Sequence, residues 1–143
     1  MRPRDVPSTM PQLRPSVLAA RQRLGEGHEE FRRRHQAGCP GVALCEAIGR
    51  LRDEVLLELF EAALSDLGLD EAAGLRSGIA LVPHGGYGRL DVAPYSDVDL
   101  MILHTPGAGD QVGRLAERLL RDVFDAGLVL GHSVRSPRQA CRL

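Results

Sequence analysis

The sequence predicts an α/β protein in which helices come first and strands alternate with a helix afterwards. A long stretch after residue 41 carries apolar residues at three- and four-residue steps, which is the spacing of one helix face. Three short apolar runs come later in the chain, and a second stretch of helical periodicity lies between the last two. At 143 residues the chain is expected to be one domain or part of one.

Composition excludes several classes of partner. The formal net charge is -1, from 18 basic and 19 acidic residues, so no overall field draws the chain onto a polyanion. Aromatic residues make up 3% of the chain and none is Trp, which leaves few platforms for stacking bases. We therefore expect no nucleic-acid partner. The three cysteines, Cys39, Cys45 and Cys141, are odd in number and scattered, so we expect free thiols.

The sequence predicts no membrane partner. No stretch approaches about 18 consecutive apolar residues, and the first residues are not followed by a hydrophobic signal core. We therefore expect a cytoplasmic, soluble protein.

The first 77 residues are predicted to be an arm followed by helices. Three prolines predict a flexible arm over 1–12, and residues 13–77 form an N-terminal helical region. Its first helix, 13–35, is expected to be interrupted around Gly25 and Gly27. A second helix begins after a turn at 38–41 and extends through Ser65. Its apolar face consists of Val42, Cys45, Ile48, Leu51, Val55, Leu56, Leu59, Phe60 and Leu64.

Residues 78–143 are predicted to form the core around a sheet. Strands are expected at 79–82, 100–103 and 128–134, and glycines break the chain after the first strand. Asp110 is placed to cap a helix that ends near Gly127 and presents Val112, Leu115, Leu119, Leu120, Val123 and Phe124 on one face. Ser136 and Pro137 then begin another helix. Because few residues remain after them, we expect this core to be incomplete at its C-terminus.

Two carboxylates stand beside the glycine turn. Side chains on a strand alternate faces, so Asp97 and Asp99 are predicted to lie on one side, roughly 6.5 to 7 Å apart along the strand. That spacing lets them hold the same divalent cations, and both are candidate metal-binding and catalytic residues.

The surrounding residues suit a triphosphate. Gly85 and Gly86, with Gly88, permit close backbone approach because they lack a Cβ atom. Arg89 offers a bidentate phosphate contact. The hydroxyl of Ser96 either contacts phosphate or caps the turn before the strand. Nucleotidyl transfer uses two divalent ions about 3.5 to 4 Å apart, which such carboxylates bridge.

Other nucleotide and metal motifs do not match. The glycine segment lacks the third glycine of a dinucleotide fingerprint, and no Gly-Lys-Ser/Thr comes after it. The segment at Asp97 also lacks the further ligands of a calcium loop. A nuclease that uses two metal ions remains open.

The segments His84–Arg89, Leu90–Pro94 and Ser96–Leu100 resemble the N-terminal nucleotidyltransferase domain of the bacterial PII signal-protein uridylyltransferase/uridylyl-removing enzyme family. The later segment Asp125–Arg135 is similar to the part of that domain in which a helix leads into a strand. The resemblance implies a polymerase-β-like nucleotidyltransferase fold, with a mixed sheet and N-terminal helices. It also implies uridylyl transfer from UTP to a tyrosine of the PII nitrogen-signalling protein, with Mg²⁺ or Mn²⁺ as cofactor. Gly85 and Gly86 would then hold the nucleotide, and Asp97 and Asp99 the metal.

The chain departs from that family in what it lacks. The fold usually supplies a third carboxylate from a later strand, yet no acidic residue lies beyond Asp125. The family's phosphohydrolase and ligand-sensing domains do not fit in 143 residues, so we expect a truncated chain or a minimal relative. Two alternatives stay open: a related nucleotidyltransferase module with another acceptor, and a non-catalytic nucleotide-binding remnant.

Four further residues invite a functional interpretation. His84 is a possible general base. His132 is expected to be packed or hydrogen-bonded in its strand, and Tyr87 to be structural rather than the acceptor. Arg135 is equally compatible with a phosphate contact and with a surface salt bridge.

Overall fold

A computed structural model describes residues 12–68 and 75–142. Most of the predicted arm, and residues 69–74 of the connector between the helical region and the first strand, lie outside the described residues. In chain order the elements are α1 (Pro15–Gln36), α2 (Gly41–Asp66), β1 (Ile79–Pro83), α3 (Gly85–Gly88), β2 (Val98–His104), α4 (Gly109–Asp125), β3 (Leu130–Arg135) and α5 (Pro137–Ala140). Short 3₁₀ turns lie at Arg76–Gly78 and Pro106–Ala108.

The described strands form a mixed sheet in the order β1-β2-β3. β1 is antiparallel to β2, and β2 is parallel to β3. The register pairs Pro83 with Leu100 and Asp99 with Gly131. The predicted mixed α and β architecture is confirmed at this level.

Helices pack on one face of the sheet, and the hydrophobic core lies between the helices and the sheet. Along β2 the side chains of Val98, Leu100 and Ile102 are buried, whereas Asp99 and Met101 point to the other face. Full burial of such a side chain contributes about 1.5–3 kcal/mol. The helices contribute core residues with relative exposures of 0–1%: Val17, Val55, Leu59, Leu64, Val112, Leu115, Leu119 and Val123.

A buried carboxylate joins the first and last long helices. Asp122 on α4 is fully buried, and its Oδ1 accepts a hydrogen bond from Nη1 of Arg14 at 2.6 Å. Its Oδ2 accepts from Nε of Arg118 at 2.8 Å. Burial of a charge is costly unless it is paired, so both contacts stabilise the carboxylate, and the one with Arg14 holds the start of α1 against α4.

The structure corrects the prediction that α1 is interrupted. α1 runs without a break from Pro15 to Gln36, so neither glycine interrupts it. The two glycines differ in their surroundings. A Cβ on Gly25 would meet open space, whereas one on Gly27 would lie 2.3 Å from Cδ2 of Leu51 on α2. Gly27 therefore lets the two helices approach closely.

Several predicted boundaries and core positions are also wrong. Val42 in the first turn of α2 is 81% exposed, and Phe124 is 74% exposed although its neighbour Val123 is buried. Asp110 lies within the first turn of α4, and the residue at the cap is Ala108. β3 begins at Leu130, because the N–H of Leu128 instead bonds to the carbonyl of Val123 and closes the end of α4.

The expectations for the last helix and for the cysteines are confirmed. Ser136 caps α5 with a capping box that it forms with Gln139. All three cysteines are free. Within residues 12–68 and 75–142, every helix is too short or too polar to span a bilayer.

Candidate functional site

The glycine segment after β1 forms a single helical turn, α3, rather than an open loop. Gly85 has φ +58°, a backbone conformation that residues with a Cβ atom rarely adopt. A Cβ on Gly88 would lie 2.8 Å from the carbonyl oxygen of Pro83. The N–H of His84 donates to the carbonyl of Asp99 at 3.1 Å, which ties the turn to β2. These contacts explain why this turn requires glycine.

The carboxylate of Asp99 is seated between two glycines. Its Oδ2 lies 2.8 Å from the position that a Cβ would take on Gly85. Its Oδ1 lies 2.7 Å from the corresponding position on Gly131, the β3 residue paired with it. Both positions are empty only because glycine has no side chain. Gly131 is a residue that sequence reasoning did not assign to the site.

Asp97 precedes β2 by one residue and is exposed. The predicted position of Asp97 on the same side as Asp99 stays a prediction, because Asp97 lies outside the paired strand and its charge acts on Arg52 in the helical layer. Within the described part of the chain, neither carboxylate has a hydrogen-bond or ion-pair partner. Both side chains are therefore available to a ligand.

Arg52 on α2 supports the segment that leads into Asp97. This arginine is 2% exposed, and its Nη1 donates to the carbonyl of Ser96 at 2.9 Å. Its Nη2 donates to the carbonyl of Pro94 at 2.9 Å and lies 3.5 Å from that of Ala93. Burial lowers the pKa of the guanidinium, and the negative charge of Asp97 opposes that shift. Arg52 thus positions the segment 93–96.

Sequence reasoning also missed Arg52, although a signal was present. Arg52 follows Ile48 by four residues and precedes Val55 by three, so it lies on the apolar face of α2. A charged residue on a helix face that packs into the core must find buried partners. Those partners are backbone carbonyls 41 to 44 residues away, which no local pattern reveals.

The three other predicted nucleotide contacts are Ser96 within this segment, and Arg89 and Gly86 before it. The hydroxyl of Ser96 accepts a hydrogen bond from the N–H of Ala93 at 3.0 Å, so it caps the turn, one of the two roles left open. Arg89 follows α3 with an exposed side chain, and its Nη2 lies 4.0 Å from Oδ2 of Asp91. Gly86 lies within α3, and its carbonyl accepts a hydrogen bond from the N–H of Asp91 at 2.9 Å.

Tyr87 is a structural residue. It is 3% exposed, and its hydroxyl donates to Oδ1 of Asp53 on α2. Burial, followed by this hydrogen bond, raises the pKa of the phenol well above its ordinary range. Tyr87 therefore anchors the glycine turn to the helical layer, as predicted.

Three further polar residues are distributed around the sheet. His84 is exposed at the cap of α3. His132 is exposed on β3, so the prediction that it is packed or hydrogen-bonded is wrong, because an edge strand leaves it uncovered. Arg135 pairs with Leu103 on the Asp99 face, four residues beyond Gly131 and thus about 13 Å along the strand.

The described residues contain no cluster of three or more His, Cys, Asp or Glu side chains that could hold a metal ion. The third carboxylate missing from the sequence is therefore not supplied by the part of the fold that the structure describes. What the site presents is the half-buried carboxylate of Asp99 against a tight glycine turn, with the exposed Asp97 two residues before it. Carboxylate oxygens are the ligands that Mg²⁺ and Mn²⁺ prefer.

Curated relatives match most of the chain. The chain is 43% identical over 94 residues to the bifunctional uridylyltransferase/uridylyl-removing enzyme of Streptomyces coelicolor, covering 66% of the chain and 10% of that enzyme. The enzyme of the same name from Nitrosospira multiformis is 33% identical over 128 residues, covering 85% of the chain and 13% of the enzyme. The enzyme of the same name from Burkholderia lata is 31% identical over 125 residues, covering 87% of the chain and 13% of the enzyme.

The chain thus spans 10 to 13% of the length of these three relatives. No family profile matches the sequence. No solved structure matches it either.

Proposed function

Because the chain belongs to the family of bifunctional uridylyltransferase/uridylyl-removing enzymes, we propose that it is a metal-dependent nucleotidyltransferase core with a polymerase-β-like fold. Its proposed reaction is the transfer of uridylyl from UTP to a tyrosine of a PII-type signalling protein. The relatives' name supports uridylyl transfer.

The observation that carries this proposal is the seat of Asp99 between Gly85 and Gly131. An unpaired carboxylate, held against a glycine turn and accompanied by Asp97, is the donor set that a divalent cation requires. We assign Mg²⁺ or Mn²⁺ to these two carboxylates. When bound, the metal offsets negative charge that develops on the attacking and leaving oxygens.

The chain's own residues then bind and orient the triphosphate. Gly85 and Gly86 let the phosphates approach the backbone of α3, since no side chain projects there. Arg89 is exposed and offers a two-pronged contact to phosphate oxygens. The hydroxyl of Ser96 accepts from Ala93 and still has its own proton to donate to a phosphate oxygen.

Calorimetric titration with UTP and Mg²⁺ tests the binding site. We expect Asp97→Asn and Asp99→Asn each to lower affinity at least about tenfold, or about 1.4 kcal/mol, because each removes a charged metal ligand. Asp110→Asn is the matched control, since this exposed aspartate lies at the start of α4. Equal affinity in all three variants would overturn the metal assignment.

A nucleotide-binding module without transfer activity is the second candidate. The absence of a three-residue metal cluster among the described residues favours it. Incubation with a PII protein and UTP, ATP or CTP, followed by mass spectrometry of the acceptor, separates the two candidates. A uridylyl adduct on a tyrosine supports the enzyme. Magnesium-dependent UTP binding with no adduct supports the binding module.

A further inference from the structure

A cavity separate from the acid pair lies between α1, α2 and the segment 93–95. Its volume is about 380 Å³, within the range of roughly 300–1,000 Å³ typical of small-molecule sites. Apolar side chains form most of its lining, among them Phe31, Leu44, Ile48 and Pro94. The cavity therefore suits the apolar body of a small ligand.

The permanent charge of the lining is positive and belongs to Arg32; the other ionisable groups are two histidines, one thiol and the phenol of Tyr95. His28, Arg32 and His35 contribute to the lining from α1, and Cys45 contributes from α2. None of the lining side chains in the described chain is acidic. A ligand that carries a negative charge finds complementary groups on the α1 side of the cavity.

The buried guanidinium of Arg52 adds to this positive field. Its hydrogen-bond partners are the neutral carbonyls of Ala93, Pro94 and Ser96, and the negative charge of Asp97 acts on it without a hydrogen bond. Burial lowers the pKa of His28, and the nearby charge of Arg52 lowers it further. In a low-dielectric interior such a charge favours an anion nearby.

We propose that this cavity binds a small molecule with one acidic group on an apolar body, such as an aromatic carboxylate or sulfonate. The apolar body lies against Phe31, Leu44 and Ile48, and the acidic group faces Arg32 and His35. The ligand also contacts Pro94. The carbonyl of Pro94 accepts a hydrogen bond from Arg52, and the chain continues from Pro94 to Ser96 and Asp97. The site is independent of the proposed uridylyl transfer.

The first test uses anilinonaphthalene sulfonate as the probe and the cysteines as reporters. The protein is alkylated with iodoacetamide with and without the probe, and modification is read at each cysteine by mass spectrometry. We expect the probe to slow modification of Cys45, which lines the cavity, while Cys141, which does not, reacts at an unchanged rate. Equal rates at Cys45 with and without the probe would overturn the proposal.

The second test asks whether charge contributes. Arg32 and Arg33 are both exposed and each pairs with a glutamate three residues earlier, but only Arg32 lines the cavity. We expect Arg32→Gln to weaken binding of the probe by roughly twofold to fivefold, as the loss of an exposed charge contact predicts, and Arg33→Gln to leave it unchanged.

A neutral probe completes this test. Phenylnaphthylamine has the same rings without the sulfonate, and we expect it to bind more weakly than the sulfonate and equally to both arginine variants. If the neutral probe binds as tightly as the sulfonate, or if both arginine variants behave alike, the assignment of an anionic ligand is wrong. Neither UTP nor metal is present, so the outcome is independent of the proposed function.

Discussion

Replacement of Gly131 by alanine isolates the geometry on which the proposed function depends. The added Cβ would lie 2.7 Å from Oδ1 of Asp99, whereas ordinary contact begins at 3.4 Å. The carboxylate must therefore move by about 0.7 Å, the difference between these two distances. Mg²⁺ demands ligand distances of about 2.0–2.1 Å in near-ideal geometry, so a displacement of this size disrupts binding.

The same substitution leaves the backbone unstrained. Gly131 is not among the glycines with positive φ, so alanine fits its strand conformation. Removal of a glycine from a strand interior is favourable by roughly 0.5–1 kcal/mol, which offsets part of any local crowding. We expect the free energy of unfolding of Gly131→Ala to stay within about 1 kcal/mol of the unsubstituted protein. The substitution should therefore weaken ligand binding without lowering the stability of the fold.

Two measurements check this prediction. Urea denaturation monitored by circular dichroism reports stability, and calorimetric titration with UTP and Mg²⁺ reports affinity. We expect affinity to fall at least about tenfold, or about 1.4 kcal/mol. Gly113→Ala on α4 is the control, because a Cβ there meets nothing within 4 Å. A folded Gly131→Ala protein that binds UTP and Mg²⁺ with undiminished affinity would refute the reasoning.

Two further predictions concern the supports of the site. Arg52→Met removes the donor for the carbonyls of Pro94 and Ser96, and we expect the free energy of unfolding to fall by about 1–3 kcal/mol in urea denaturation; a change below about 0.5 kcal/mol would contradict the assigned role. The phenol of Tyr87 has an ordinary pKa of 10.0, and burial raises this pKa in the folded state. Its contribution to the free energy of unfolding is therefore complete below pH 10 and is lost as the pH rises above that value. The free energy of unfolding should thus decrease more between pH 9 and 11 in the unsubstituted protein than in Tyr87→Phe, and equal decreases would show that the phenol does not control this dependence.

The predictions from sequence succeeded where the pattern was local. The apolar face of α2 predicted the burial of Ile48, Val55, Leu56, Leu59 and Leu64, because helical periodicity depends only on spacing along the chain. The glycine turn and the alternation of Val98 and Asp99 were equally readable. Errors appeared at the ends of elements. Val42 and Phe124 continue an apolar pattern beyond the surface that neighbouring elements cover.

The amino-acid sequence by itself therefore determined which residues could form helices and strands, and that two carboxylates come after a glycine turn. Only the tertiary structure decided that Gly131 faces Asp99 across a parallel strand pair, and that Arg52 holds the segment before Asp97 from the helical layer. These contacts join residues 32 and 44 positions apart in the chain. The first contact depends on the lack of a side chain at Gly131, and the second depends on backbone carbonyls. Neither produces a periodic pattern in the sequence, because every residue has a carbonyl and glycine is commonly found in turns.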